Sequence, residues 1–339
     1  MPVLQRHSAT AHAAYQSLLR SLQDDAASDL RGTPTRVVRN GRTYWYDSYR
    51  IGSSVRKRYI GEDSDALRGR IERFQVLKEN RTARQSERTR LVRLLRAEGF
   101  LSLDAGTGSL LAAMAKAGVF RLGGTIVGTH AFRLYEGELG LRYRFDQLAQ
   151  TDDIDIAAFE KLSLALEDAA SPPLTEVLAD FDFSPVAAME PHRVWRWAQG
   201  RGNQLVEFLT ASFDADEGRR HLAALGVDAQ ALHHLNYLIA EPIPAAVIYR
   251  SGVLVQIPRP ERFAIHKLIV SERRRGGPEA SKARKDLLQA EFLIGALSED
   301  RPGELREAFD DAMSRGPRWR QRLDGALRRS DKARAVLGA

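Results

Sequence analysis

Apolar positions recur at helical spacing over residues 8–30, where Ala13, Leu18, Leu19 and Leu22 stand in a polar remainder; the pattern predicts one amphipathic helix. Arg31-Gly32-Thr33-Pro34 ends it. The spacing then changes to that of strands. Val37-Val38-Arg39 and Thr43-Tyr44-Trp45-Tyr46 flank Asn40-Gly41, a favoured two-residue turn, and a second turn at Gly52-Ser53-Ser54 leads into Val55 to Ile60. This is a small meander rich in arginine and aromatic side chains. Its aromatic residues fit either strand formers over a thin core or a surface that stacks bases. Ser64 reads as the N-cap of a charged helical stretch reaching about Ala97, with Leu67, Ile71, Phe74, Leu77, Leu91, Leu94 and Leu95 as its apolar positions.

From residue 101 the pattern turns apolar. Leu110 to Ala117 reads as a short helix, and the β-branched run Thr125-Ile126-Val127 as a buried strand that ends at Gly128-Thr129. A helix follows from His130 to about Glu138. Strand, glycine turn and helix N-terminus present backbone N–H groups and a dipole that favour an anion such as phosphate, although a plain turn has the same pattern. No Gly-Lys-Ser/Thr follows, so this is not a Walker loop.

Thr151-Asp152-Asp153-Ile154-Asp155-Ile156-Ala157 alternates with a period of two. On a strand, Asp153 and Asp155 share one face and the isoleucines the other. Two like charges on one face call for a cation between them, or else for an edge open to water. Arg193 to Trp197 and Leu205 to Thr210 read as two further strands joined by a turn at 199–203. Glu207 is the single acid of the second, costly among Val206, Phe208 and Leu209 unless it has a partner or faces solvent. Pro244 to Pro258 reads as a hairpin turning at Ser251-Gly252. Pro260 opens a helix carrying His266 and Lys267, another runs from about Ser281 to Leu297 with Lys282, Lys285 and Asp286, and two short ones follow at 302–314 and 317–328.

Composition narrows the possibilities. The 339 residues include no cysteine, which excludes disulfides, thiolate nucleophiles and Cys-ligated zinc or iron–sulfur sites. No apolar run is long enough to span a membrane, and Met1 to His7 has no signal-like apolar core, so a cytoplasmic protein is expected. The net charge is +7, with 43 arginines against 8 lysines. Arginine forks match phosphate geometry, and GC-rich coding gives the same skew. The excess charge suits a polyanionic partner.

Three segments together, Leu122 to Thr129, Thr151 to Ala157 and Val206 to Thr210, resemble the bacterial nucleotidyltransferase-fold proteins of the polymerase-beta-like superfamily, relatives of abortive-infection toxin nucleotidyltransferases. The resemblance covers about residues 100–300. It implies an α+β fold: a mixed, twisted sheet carrying the carboxylates, behind a helix and β-meander, with a helical subdomain after it. The expected divisions are 1–98, 99–215 and 216–339. The resemblance further implies that Asp153, Asp155 and Glu207 hold Mg²⁺ (or Mn²⁺), that Gly128 and Thr129 contact the triphosphate of an NTP, and that Lys267 and Lys285 neutralise its charge. The implied activity is nucleotidyl transfer with pyrophosphate release, to an acceptor for which RNA such as a tRNA end is preferred and a small molecule or a protein hydroxyl stays open; a third reading is a toxin neutralised by a neighbouring antitoxin. The alternative is a nucleotide- or RNA-binding module without turnover, suggested by the 23 residues (130–152) between the Gly-Thr step and the Asp pair, a longer separation than usual in the superfamily.

Overall fold

In the computed structural model of the protein, the residues described are 4–28, 33–39, 41–51, 54–73, 80–142, 151–166, 168–186, 193–213, 217–276 and 280–338. Asn40, Gly52, Ser53, Phe74, Leu77 and residues 143–150 of the long separation lie outside them.

The first helix spans Ala9–Ser28 and buries Ala11, Ala14, Tyr15, Leu18, Leu19 and Leu22; Ala13 faces solvent. Within the expected charged helical stretch to Ala97, the described helices are Asp65–Glu72 and Arg81–Ala97. The second lies along the first and closes a small core of Leu18, Leu22, Leu91, Leu95, Phe100 and Ile248. Ser64 does cap the helix of Asp65: its hydroxyl accepts from Leu67 N–H.

The meander consists of β1 (Thr33–Arg39), β2 (Arg42–Ile51) and β3 (Ser54–Glu62), all antiparallel. Tyr46 and Tyr59 sink into the main core, so the strand-former reading holds for them. The sheet is fastened by Asp168, which accepts from Tyr59 N–H at 2.8 Å and pairs with Arg121.

Among the described residues the central sheet has seven strands: β4 (Thr125–Val127), β5 (Asp153–Ala157), β6 (Phe183–Pro185), β7 (Arg196–Gln199), β8 (Leu205–Ala211), β9 (Arg219–Leu222) and β10 (Val227–Leu232). β4 is antiparallel to β5, and β5 is parallel to β8. The other edge of β8 is shared, its start by antiparallel β7 and its end by parallel β10. Two expectations need correction here. The strand expected at Arg193–Trp197 starts three residues later, because β7 lines up with β8 only from Arg196. The division expected at residue 215 runs through the sheet, because β10 pairs with β8.

A separate hairpin, β11 (Ile243–Val247) and β12 (Val253–Ile257), lies between the sheet and the first helix, where Ala246 N–H donates to the Tyr15 hydroxyl at 3.1 Å. The C-terminal helices Pro260–Arg273, Ala280–Asp300, Pro302–Ser314, Pro317–Arg329 and Asp331–Leu337 pack around Phe263, Leu268, Leu293, Leu297, Phe309 and Leu323. Three of them start on a proline, where the missing N–H costs nothing. The whole is an α+β architecture. Among the described residues, no helix is long and apolar enough to cross a membrane.

Candidate active site

The site forms where β4, β5 and β8 lie side by side. Val127, the last residue of β4, pairs with Asp155, so the chain turns into the helix Gly128–Leu139 directly beside that carboxylate. Gly128 has φ +64°, and a Cβ there would run into Asp155 Oδ2. Only glycine fits, on both counts. The helix begins at Gly128 rather than at His130, which puts Gly128 and half-buried Thr129 in its first turn. His130 is buried, and neither of its ring nitrogens has a hydrogen-bond partner among the described residues.

Along β5, Ile154 and Ile156 are fully buried while Asp153 and Asp155 face the other way, half-buried. β8 repeats the pattern, with Val206 and Phe208 inside and Glu207 on the carboxylate face. The parallel register sets Asp155 opposite Glu207. The antiparallel register of β7 sets Arg196 opposite Glu207 from the other side, and Arg196 Nε lies 2.7 Å from Glu207 Oε1. Arg196 was not among the residues singled out from the sequence; counting back through the 199–203 turn from Glu207 would have found it.

Burial, and then the charges of Glu207 and Asp153, push the Asp155 carboxyl up to about 7, against the opposing pull of Lys267 and Arg274. Burial also raises Glu207, with Arg196 opposing it and Asp153 adding to the rise. Burial is thus the larger cause at both Asp155 and Glu207, with the neighbouring acids adding to it and the cations opposing it.

The cations come from the C-terminal helices. Lys267 is buried against Asp286, its Nζ 2.5 Å from Oδ1, and Arg274 holds the other oxygen of Asp286 at 2.7 Å. Lys267 is thus committed to an ion pair as well as acting on Asp155. Lys285 is half-buried; burial and the charge of Lys267 lower its pKa, while Asp286 and Asp153 act in the opposite sense. Lys282 acts on Glu207. His266, beside Lys267, is pushed down to about 3 by burial and by that lysine, so it is a neutral packed histidine.

The donor set suits a hard divalent cation: carboxylate oxygens only, in mutual repulsion, beside an open glycine backbone. As the side chains lie, with Glu207 turned to Arg196, no group of three or more acidic or histidine side chains among the described residues is arranged to hold a metal ion. Asp153 and Asp155 lie on one face of β5, and Glu207, paired with Arg196, lies on the same face of β8.

A family profile described as nucleotidyltransferase matches residues 105–314, and a second, described as a domain of unknown function, matches residues 8–69. No curated protein matches the sequence. A crystal structure described as an antigenic nucleotidyltransferase-like protein from Paracoccidioides brasiliensis is similar at 17% identity over 70% of this chain and 100% of that one, with a TM-score of 0.32. The profile match takes in more than half of the chain, from the helix before β4 to the end of the helix Pro302–Ser314, and the protein belongs to the nucleotidyltransferase family.

Proposed function

We propose that the protein transfers a nucleotide from an NTP to an acceptor, with Asp153, Asp155 and Glu207 as the carboxylates that hold Mg²⁺ or Mn²⁺. The observation that carries this reading is the register that sets Asp155 between Gly128 and Glu207. An acceptor oxygen attacks the α-phosphorus, the bond to the bridging oxygen of the β-phosphate breaks, and pyrophosphate leaves. The divalent cation, when bound, supplies charge neutralisation at the α-phosphate and the leaving group. Gly128 lets the triphosphate approach the backbone, and the first-turn N–H groups of its helix, with the Thr129 hydroxyl, bind phosphate oxygens. Lys285 supplies a point charge to the phosphates, and Lys267, through Asp286 and Arg274, keeps the helix of Pro260 aligned over Asp155. RNA is the acceptor that best suits a net charge of +7.

Incubation with Mg²⁺, labelled NTPs and total RNA tests the reading. Label is expected to move to RNA with the wild type and not with Asp153→Ala; label that still moves with Asp153→Ala removes the assigned carboxylates. The ion pair of Arg196 on Glu207 favours a second reading, a nucleotide- or RNA-binding module without turnover. That reading predicts tight NTP binding and no transfer. A toxin role, with an antitoxin as partner, predicts growth arrest on expression that Asp153→Ala relieves.

A further inference from the structure

Beyond the far end of β8 lies a cavity of about 650 Å³, walled by the chain after β8, the turn after β10, the end of the helix Pro260–Arg273 and the start of the helix Pro317–Arg329. Its charge is one-sided. Arg273 and Arg315 are held by Glu217 and Asp311. Arg318 and Arg322 make no ion pair among the described residues, and both face the cavity. Burial and the charges of Arg273 and Arg318 push the Arg322 guanidinium down from its ordinary value, with Glu272 and Glu217 opposing. Burial, with Arg322 and Arg273, pushes His234 down to about 4. The cavity gathers more positive charge than its own acids balance, the condition in which an anionic ligand is favoured.

The wall also has aromatic faces. Trp319 is braced by His234 at 4.4 Å and Tyr237 at 5.4 Å, both edge-on, and by Arg315 5.5 Å from its ring centre. Phe213 stands 64% exposed at the rim, with Lys161 Nζ 5.6 Å from its ring. A large exposed ring beside unpaired guanidinium groups suits a base stacked next to its own phosphates.

The position separates this cavity from the carboxylates. Ser212 is five residues beyond Glu207, just past the end of β8, about 16 Å at strand rise. A strand of about five stacked nucleotides covers that interval at ~3.4 Å each. On the helix of Pro260, Arg273 is six residues from Lys267, about 9 Å along the axis, so one rigid element carries both places.

We propose that this cavity binds a single-stranded RNA segment, its phosphates on Arg318 and Arg322 and an unpaired base against Trp319 and Phe213. That the RNA is the acceptor rests on the nucleotidyl-transfer reading; that the cavity binds it does not.

The test is fluorescence anisotropy of a labelled single-stranded 12-nucleotide RNA with the full chain, in EDTA and without NTP. The wild type is expected to bind. R318E/R322E, two changes at the cavity surface, should weaken binding at least tenfold and lower the slope of log K against log salt by about 1.4, which is 0.7 per single-strand phosphate. Phe213→Ala, at an exposed rim, should weaken it about tenfold with an unchanged melting temperature. No RNA binding by the wild type, unchanged binding by R318E/R322E, or displacement of the RNA by equimolar free NTP overturns the proposal. RNA binding that depends on these residues in a protein with no transferase activity upholds the cavity and removes the transfer reading.

Discussion

Asp155 and Glu207 stand directly opposite each other across the parallel pair β5–β8, half-buried and on one face. Two carboxylates so placed oppose folding unless a cation joins them, and this one relationship makes the proposed chemistry measurable as stability.

The Asp155 carboxyl is pushed from its ordinary value of 3.8 up to about 7 by burial and by Glu207. Its folded-state pKa is therefore raised. The stability this allows is complete below pH 3.8 and is lost as pH rises through about 7. In EDTA, Asp155→Asn is expected to melt about 3 °C above the wild type at pH 8, with the gap closing towards pH 4. Millimolar Mg²⁺ should raise the wild-type melting temperature and leave Asp155→Asn where it is. Thermal melts across pH, with and without metal, check both; a variant less stable than the wild type at pH 8 contradicts the account.

Gly128→Ala places a methyl group against Asp155 Oδ2 in a left-handed backbone. About 1–2 kcal/mol of stability should be lost, measured by denaturant unfolding. Transfer to RNA should fall about a hundredfold, because the carboxylate moves from its place beside the helix start. Transfer at the wild-type rate removes Gly128 from the site.

Lys267 and Lys285 should separate by the kind of damage. Lys267→Ala leaves Asp286 buried with Arg274 alone and should cost about 3 kcal/mol. Lys285→Ala should cost under about 1 kcal/mol and weaken NTP binding about tenfold. Urea melts and NTP titration calorimetry, run on both variants, test the distinction. Equal losses of stability would mean that Lys285 is structural too.

Burial alone would raise the Glu217 carboxyl, but bonds from Arg273 and from His233 N–H outweigh it and hold the group at about 2, below its ordinary 4.5. Its pKa is depressed, so its contribution is complete above pH 4.5 and is lost as pH falls towards 2. Glu217→Gln should cost about 1 kcal/mol at pH 7, a value reduced for the solvent that reaches this pair, and the difference should shrink steadily below pH 4.5. A difference that is constant from pH 7 to pH 3 would contradict it.

Local pattern carried much of this protein. The alternation of Asp153 and Asp155 with Ile154 and Ile156, the lone Glu207 among apolar neighbours, the Ser64 cap and the proline-led helices are all legible in the sequence, because side-chain period and capping act within one element. The short elements were not: the helix Asp331–Leu337 and the strands β9 and β10 carry too few residues for a period to show, and they form because the larger pieces around them supply a surface. Which strands meet is a matter of tertiary structure. Nothing near Asp155 in the chain encodes its pairing with Glu207 in parallel register, and nothing near Glu207 encodes that β10 takes the end of its other edge; only Arg196, reached through the 199–203 turn, is legible locally. The sequence marks Lys267 as a candidate, and only packing shows that it is buried against Asp286, nineteen residues on. Side-chain direction within an element is decided by neighbours a few residues away, whereas register, burial and ion pairing are settled by contacts between distant segments that compete for one core.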